Sequence, residues 1–135
     1  MLSTSTLTHL AVAAAVVYRF LGVWDLLAPG SAARVFLGLR SPSPKDTDDD
    51  AQSDAIPTLV PMLGARDVTV GAAILWLAHE AETHALGVVV LSASALNFVD
   101  AWAVARRRGA VLGAAPALFS LAFVGLGYGL LVGRG

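Results

Sequence analysis

Four apolar stretches, each close to the roughly 20 residues that cross the hydrocarbon core of a bilayer, take up most of the chain. They run over about 7–27, 59–79, 85–104 and 111–132. The runs are long and lack the alternation of barrel strands, so helices are expected. Ala28-Pro29-Gly30 ends the first, because a Pro-Gly pair punctuates helices. Pro57 and Pro61 are expected to precede or open the second, where a missing backbone N–H costs little. Only 14% of the residues are charged, against about 25% in soluble domains, so a soluble surface cannot be coated. The expected fold is all-α: a single membrane domain over 1–135, built as a bundle of four transmembrane helices. The first run reads as a retained helix rather than a secretory leader. No Lys or Arg precedes it, and it carries Arg19 and Asp25, whereas a leader has a basic start and a short apolar centre.

A net charge of −1 and no basic tail give no attraction to nucleic acid. The absence of cysteine excludes disulfides, thiol catalysis and thiolate metal sites. Between the first two spans, 32–40 suits a short interfacial helix, and 41–56 reads as a solvated acidic loop with Asp46, Asp48, Asp49, Asp50 and Asp54. A calcium loop is the sharper alternative there, but the glycine and glutamate of an EF-hand are missing. Arg34, Arg40, Lys45, Arg106, Arg107 and Arg108 fall in the 1–2 and 3–4 connections, and Arg134 lies on the opposite side. The positive-inside rule then places both termini and the hairpin around 79–84 away from the cytosol, in an endomembrane such as the ER if the cell is eukaryotic.

Charged residues inside spans are costly and mark candidate sites. The first span carries Arg19 and Asp25 late, the second Arg66 and Asp67 early, and the third Asn97 and Asp100 late. The helices alternate in direction, so all six are expected in the cytosolic half of the bilayer. Tyr18 and Asp25 are seven apart and share a face, as do Asn97 and Asp100 at three apart. Arg66 and Asp67 diverge by about 100° and can address two neighbours. Arg19 lies on another face, positioned either to pair with Asp67 or Asp100 or to snorkel to headgroups. A carboxyl without a cation in an apolar setting keeps its proton, and one against a guanidinium gives it up. Two carboxyls separated in this way are what acid–base catalysis requires. Arg–Asp pairs that simply lock helix register are the structural alternative, and ion or proton conduction is a third.

The remaining features have plainer readings. Trp24, Trp76 and Trp102 lie near span ends, as an aromatic belt would, although Trp24 adjoins Asp25 and is a candidate for substrate contact together with Arg19. His79 and His84 are five apart, whereas zincin helices space their histidines by four, so no metal is expected. No phosphate loop, nucleophile elbow or dinucleotide fingerprint is present, and no cofactor is expected. Gly125, Gly129 and Gly133 recur every four residues in the fourth span. Such spacing serves close packing within the bundle or a homodimer interface.

The stretch Gly64-Ala65-Arg66-Asp67-Val68-Thr69-Val70-Gly71, followed by a helix, a polar turn and Ala95-Leu96-Asn97-Phe98-Val99-Asp100-Ala101, resembles domain-of-unknown-function family 4267. These are small four-helix membrane proteins of fungi and bacteria. The resemblance covers most of the chain and rests on the Gly-x-Arg-Asp opening of the second helix and the Asp ending the third. It implies a membrane bundle and no settled activity. Some relatives of such proteins look like accessory enzymes of polyketide or terpenoid pathways, acting on lipophilic epoxides or polyenes. The set Asp67, Arg66, Asp100, Asn97 and Tyr18 is similar in chemistry, not in fold, to that of limonene-epoxide-type hydrolases. The expected function is therefore acid–base opening of an epoxide, or isomerisation, of a lipophilic small molecule. Asp67 or Asp100 would act as the acid, Arg66 would separate the carboxyls, and Asn97 and Tyr18 would orient the nucleophile. The alternative is a non-catalytic scaffold or accessory subunit.

Overall fold

A computed structural model describes residues 2–37 and 50–133. Helix α1 spans Thr4–Leu27 and is capped by Ser3, whose side chain accepts from the Thr6 N–H. A short helix α2 (Pro29–Ala32) continues into a π-helical turn at Ala33–Leu37. Then follow α3 (Asp50–His79), α4 (Thr83–Arg108) and α5 (Ala110–Val132). Four of these are long and apolar enough to cross a membrane: Thr4–Leu27, Thr58–His79, Thr83–Arg107 and Ala110–Val132. They agree with the four stretches read from the sequence.

The exterior explains why lipid is needed. Val111, Leu27, Phe20 and Trp76 are between 66% and 88% exposed, an apolar surface that water would not support. The interior is correspondingly thin and consists largely of small or medium side chains such as Ala11, Ala15, Ile74, Leu86 and Val90, with Tyr18 and Phe123 among them. The chain is a multi-pass helical membrane bundle.

Two differences from the sequence reading concern the first connection. Of the interfacial helix expected at 32–40, the part up to Leu37 is helical and continues from Pro29, and 38–40 lie outside the described residues. Of the expected acidic loop, 50–56 is helical and opens α3, and 41–49 lies outside the described residues. Asp50 is the first residue of α3, so Pro57 and Pro61 lie within the helix rather than ahead of it. Each proline frees the carbonyl four residues earlier, and those carbonyls precede the apolar span Thr58–His79.

α1 packs along α3, and α4 along α5, whereas the two pairs meet more sparsely. The turn from α3 to α4 closes as a Schellman motif: Glu82 N–H donates to Leu77 O, and Ala81 N–H donates to Ala78 O. Ala81 takes the left-handed position at φ 58°, normally filled by glycine. Ala81→Gly is therefore expected to stabilise the fold by about 1 kcal/mol, read as a higher unfolding temperature in detergent.

Candidate functional site

The sparse contact between the helix pairs leaves a cavity of about 570 Å³. All four spans and the segment after α1 contribute to its wall. Toward the end of the bundle it is lined by Ala32, Ala33 and Val35 with Val60 and Val104. Toward the middle, Tyr18, Asn97 and Phe119 line it. Phe123, 2% exposed, backs this end, with ring centroids 5.6 Å from Tyr18 and 4.8 Å from Phe119. The cavity therefore occupies the half of the bundle where α1 and α4 end and α3 and α5 begin.

Six polar residues of the wall were candidates from the sequence: Tyr18, Asp25, Arg66, Asp67, Asn97 and Asp100. Helical spacing brings them together. Along α1 the buried positions are Leu7, Ala11, Ala15, Tyr18, Gly22 and Asp25, a stripe of threes and fours that puts Tyr18 and Asp25 on one face. On α4, Asn97 and Asp100 both reach the cavity. Arg66 does address two neighbours. Its guanidinium binds Asp100 in a bidentate fork, Nη1 to Oδ1 at 3.2 Å and Nη2 to Oδ2 at 2.7 Å. Its Nε donates to Asp67 Oδ1 at 2.9 Å. One cation thus holds two carboxylates and ties α3 to α4.

Asp25 is the third carboxyl, and among the described residues no ion pair reaches it. Its Oδ1 is buried without a hydrogen-bond partner. Tyr18 donates its hydroxyl to Asn97 Oδ1 at 2.5 Å, linking α1 to α4, and Asn97 Nδ2 is likewise buried without a partner. The Arg66 side chain is 25% exposed, that of Asp100 38% and that of Asp67 12%. Asp100 is thus the most exposed of the three and Asp67 the least.

Two sequence candidates fall outside this group. Arg19 is exposed, does not line the cavity and makes no ion pair with Asp67 or Asp100. The facing α3 surface explains why: the Arg19 stem packs at Gly71, which directs the residue away from the carboxyls. Trp24 donates its indole N–H to Ser31 Oγ at 2.8 Å, fixing the turn after α1, and is not part of the cavity wall. Among the described residues, no group of three histidine or acidic side chains is arranged to hold a metal.

The glycines that matter are not the stripe that stood out in the fourth span. A Cβ on Gly22 would lie 2.6 Å from Gly64 O, and one on Gly64 2.6 Å from Gly22 O and 2.8 Å from Asp25 Cβ. This mutual contact brings α1 onto α3 and sets Asp25 beside the Arg66–Asp67 turn. Gly71, seven residues after Gly64, makes a second close approach, to Ala15 O. In α5 the close contacts are Gly113 against Ala105 and Gly127 against the Leu91 backbone, while Gly125 faces open space. The signal was legible as the seven-residue spacing of Gly64 and Gly71, which returns both to one helix face. Gly64→Leu is expected to part α1 from α3 and cost about 2–3 kcal/mol, measurable by thermal unfolding. An unchanged unfolding temperature would mean that the helices are not held at this contact.

No curated protein matches the chain, and no solved structure does. The profile of the family described as Domain of unknown function (DUF4267) matches residues 15–132. That span holds all six polar residues of the cavity and both glycines of the α1–α3 contact, and the chain belongs to this family.

Proposed function

We propose that the protein is a membrane-embedded acid–base enzyme that opens an epoxide, or isomerises, a lipophilic small molecule taken up from the bilayer. The observation that carries this reading is the cavity itself: a mostly apolar space among the four spans, lined by three carboxyls but a single guanidinium. A closed ion-pair layer without a cavity would have favoured a purely structural role. Pockets of this kind, apolar with a few convergent polar groups, are the usual setting for small-molecule chemistry.

The geometry also redistributes the roles. Asp67 and Asp100 are both held by Arg66, so the acid in this reading is Asp25, which makes no ion pair among the described residues. Asp25 passes its proton to the epoxide oxygen as the C–O bond breaks. Water attacks the carbon and yields its proton to the Asp100 carboxylate, the more accessible of the pair, leaving a diol. In a cyclisation, an internal hydroxyl of the substrate takes the place of water. Arg66 positions the two carboxylates through its hydrogen bonds, and Tyr18 holds the Asn97 amide. No cofactor is required by these steps.

A scaffold or accessory-subunit reading is favoured by one observation, the Arg66 fork that closes α3 on α4. The test separates the two. Asp25→Asn, Asp67→Asn and Asp100→Asn are compared with the wild type for folded yield in detergent and for lipophilic metabolites in the producing cell. Normal yield with a newly accumulated intermediate supports the enzyme. Loss of yield with no selective metabolite change supports the scaffold.

The same reading puts the cavity in the cytosolic half of the bilayer, with both termini on the other side and, in a eukaryotic cell, in an endomembrane such as the ER. It rests on the basic connections at Arg34 and Arg106–Arg107. Terminal epitope tags are expected to be protected from protease in sealed cytosol-facing microsomes. Cleavage there would invert the topology.

A further inference from the structure

Two residues that line the cavity each carry a buried polar atom with no hydrogen-bond partner, Asp25 Oδ1 and Asn97 Nδ2. Their residues are only 9% and 8% exposed. The other polar groups of the wall are committed. Arg66 serves Asp67 and Asp100, and the Tyr18 hydroxyl serves Asn97 Oδ1. That last bond also fixes which way the amide points, so its N–H groups are turned away from Tyr18. The two open groups sit on opposite helix pairs, Asp25 on α1 and Asn97 on α4, with apolar side chains such as Val17, Leu21 and Phe119 filling the wall around them. A buried polar atom left without a partner costs about 1–3 kcal/mol, so a ligand that satisfies both is favoured over one that satisfies either.

Resting on the enzyme reading, we propose that the substrate is an uncharged lipophilic molecule with two separated oxygen functions. One is the reacting oxygen at Asp25. The other is an acceptor oxygen (carbonyl, ether or hydroxyl) that takes the Asn97 N–H and bridges the two helix pairs. Asn97 is then a specificity-determining residue, and Tyr18 is a positioning residue that acts through it. An anionic ligand fits poorly, because the wall's single guanidinium already faces two carboxylates and a third carboxyl lies nearby. A charge left unbalanced at this depth is costly.

The test uses the full chain in detergent and four probes of equal chain length: an epoxy alcohol, the matching epoxyalkane, an epoxy fatty acid and an epoxy alkylamine. Affinity is read from the ligand-dependent rise in unfolding temperature. The wild type is expected to bind the epoxy alcohol about 10–100-fold more tightly than the epoxyalkane, the factor that corresponds to one satisfied buried group. It is expected to bind the fatty acid and the amine more weakly than the alcohol. Asn97→Leu should abolish the preference for the alcohol without weakening the epoxyalkane. Tyr18→Phe keeps the amide but frees it to turn, and should reduce the preference several-fold, which covers the case in which Asn97→Leu does not fold. Equal affinity for alcohol and alkane, a preference that survives both substitutions, tighter binding of the amine, or no binding by any probe would each overturn the proposal. Selective binding without turnover would sink only the enzyme reading, and turnover without selectivity would sink only this inference.

Discussion

Asp25→Asn is expected to lower turnover of the native substrate by about 10²–10⁴-fold, the range contributed by a positioned general acid or base, while leaving the protein folded. The two halves of that expectation come from one observation. Asp25 makes no ion pair among the described residues, and its Oδ1 has no hydrogen-bond partner, so an amide of the same shape removes no contact that holds the bundle together. It removes only the acidic proton. The measurement is the rate at which purified protein consumes the intermediate that accumulates in variant-expressing cells, with unfolding temperature recorded alongside. Full turnover by Asp25→Asn at normal stability would exclude Asp25 as the acid. Chemistry would then have to come from the carboxylates on Arg66, or be absent.

Arg66→Ala should behave in the opposite way, destabilising the fold by about 3 kcal/mol. That is the lower end of the cost of removing one partner from a buried ion pair, chosen because the Arg66 and Asp100 side chains are partly exposed, at 25% and 38%. The alanine leaves Asp67 and Asp100 facing one another without a cation, so the penalty is mainly that of uncompensated charge. Adding Asp67→Asn to Arg66→Ala should therefore recover part of the stability, although it removes a further native group. Arg66→Lys should recover less than its charge suggests, because an ammonium cannot reproduce the bidentate fork to Asp100 while also reaching Asp67. Thermal unfolding of the single and double variants in one detergent checks all three. Additive losses in the double variant would mean that the ion pairs contribute little.

Most of the architecture was legible in the residues, since crossing a bilayer demands long apolar runs and internally satisfied backbone. The same economy exposed the site. In a span where nearly every residue is apolar, Asp25, Arg66, Asp67, Asn97 and Asp100 are conspicuous, and alternating helix direction puts them at one level. Helical spacing then paired Tyr18 with Asp25 and Asn97 with Asp100 correctly, because facing is a local property of the helix. Arg19 was equally conspicuous but is not in the site, since the neighbour opposite its face, Gly71 on α3, depends on how two helices are rotated against each other.

By itself, then, the sequence determined the four-span helical fold, the depth of the polar layer and which residues of each helix share a face. Each follows from the rise and period of a helix and from the cost of polar groups in hydrocarbon. Tertiary structure alone decided which carboxyls the guanidinium takes and which it leaves. It also decided that the mutual approach of Gly22 and Gly64 brings α1 onto α3, and that a cavity of about 570 Å³ opens between the pairs. Those outcomes depend on the distances and rotations between helices, which are set jointly by every contact along two faces and are written in no single stretch of chain.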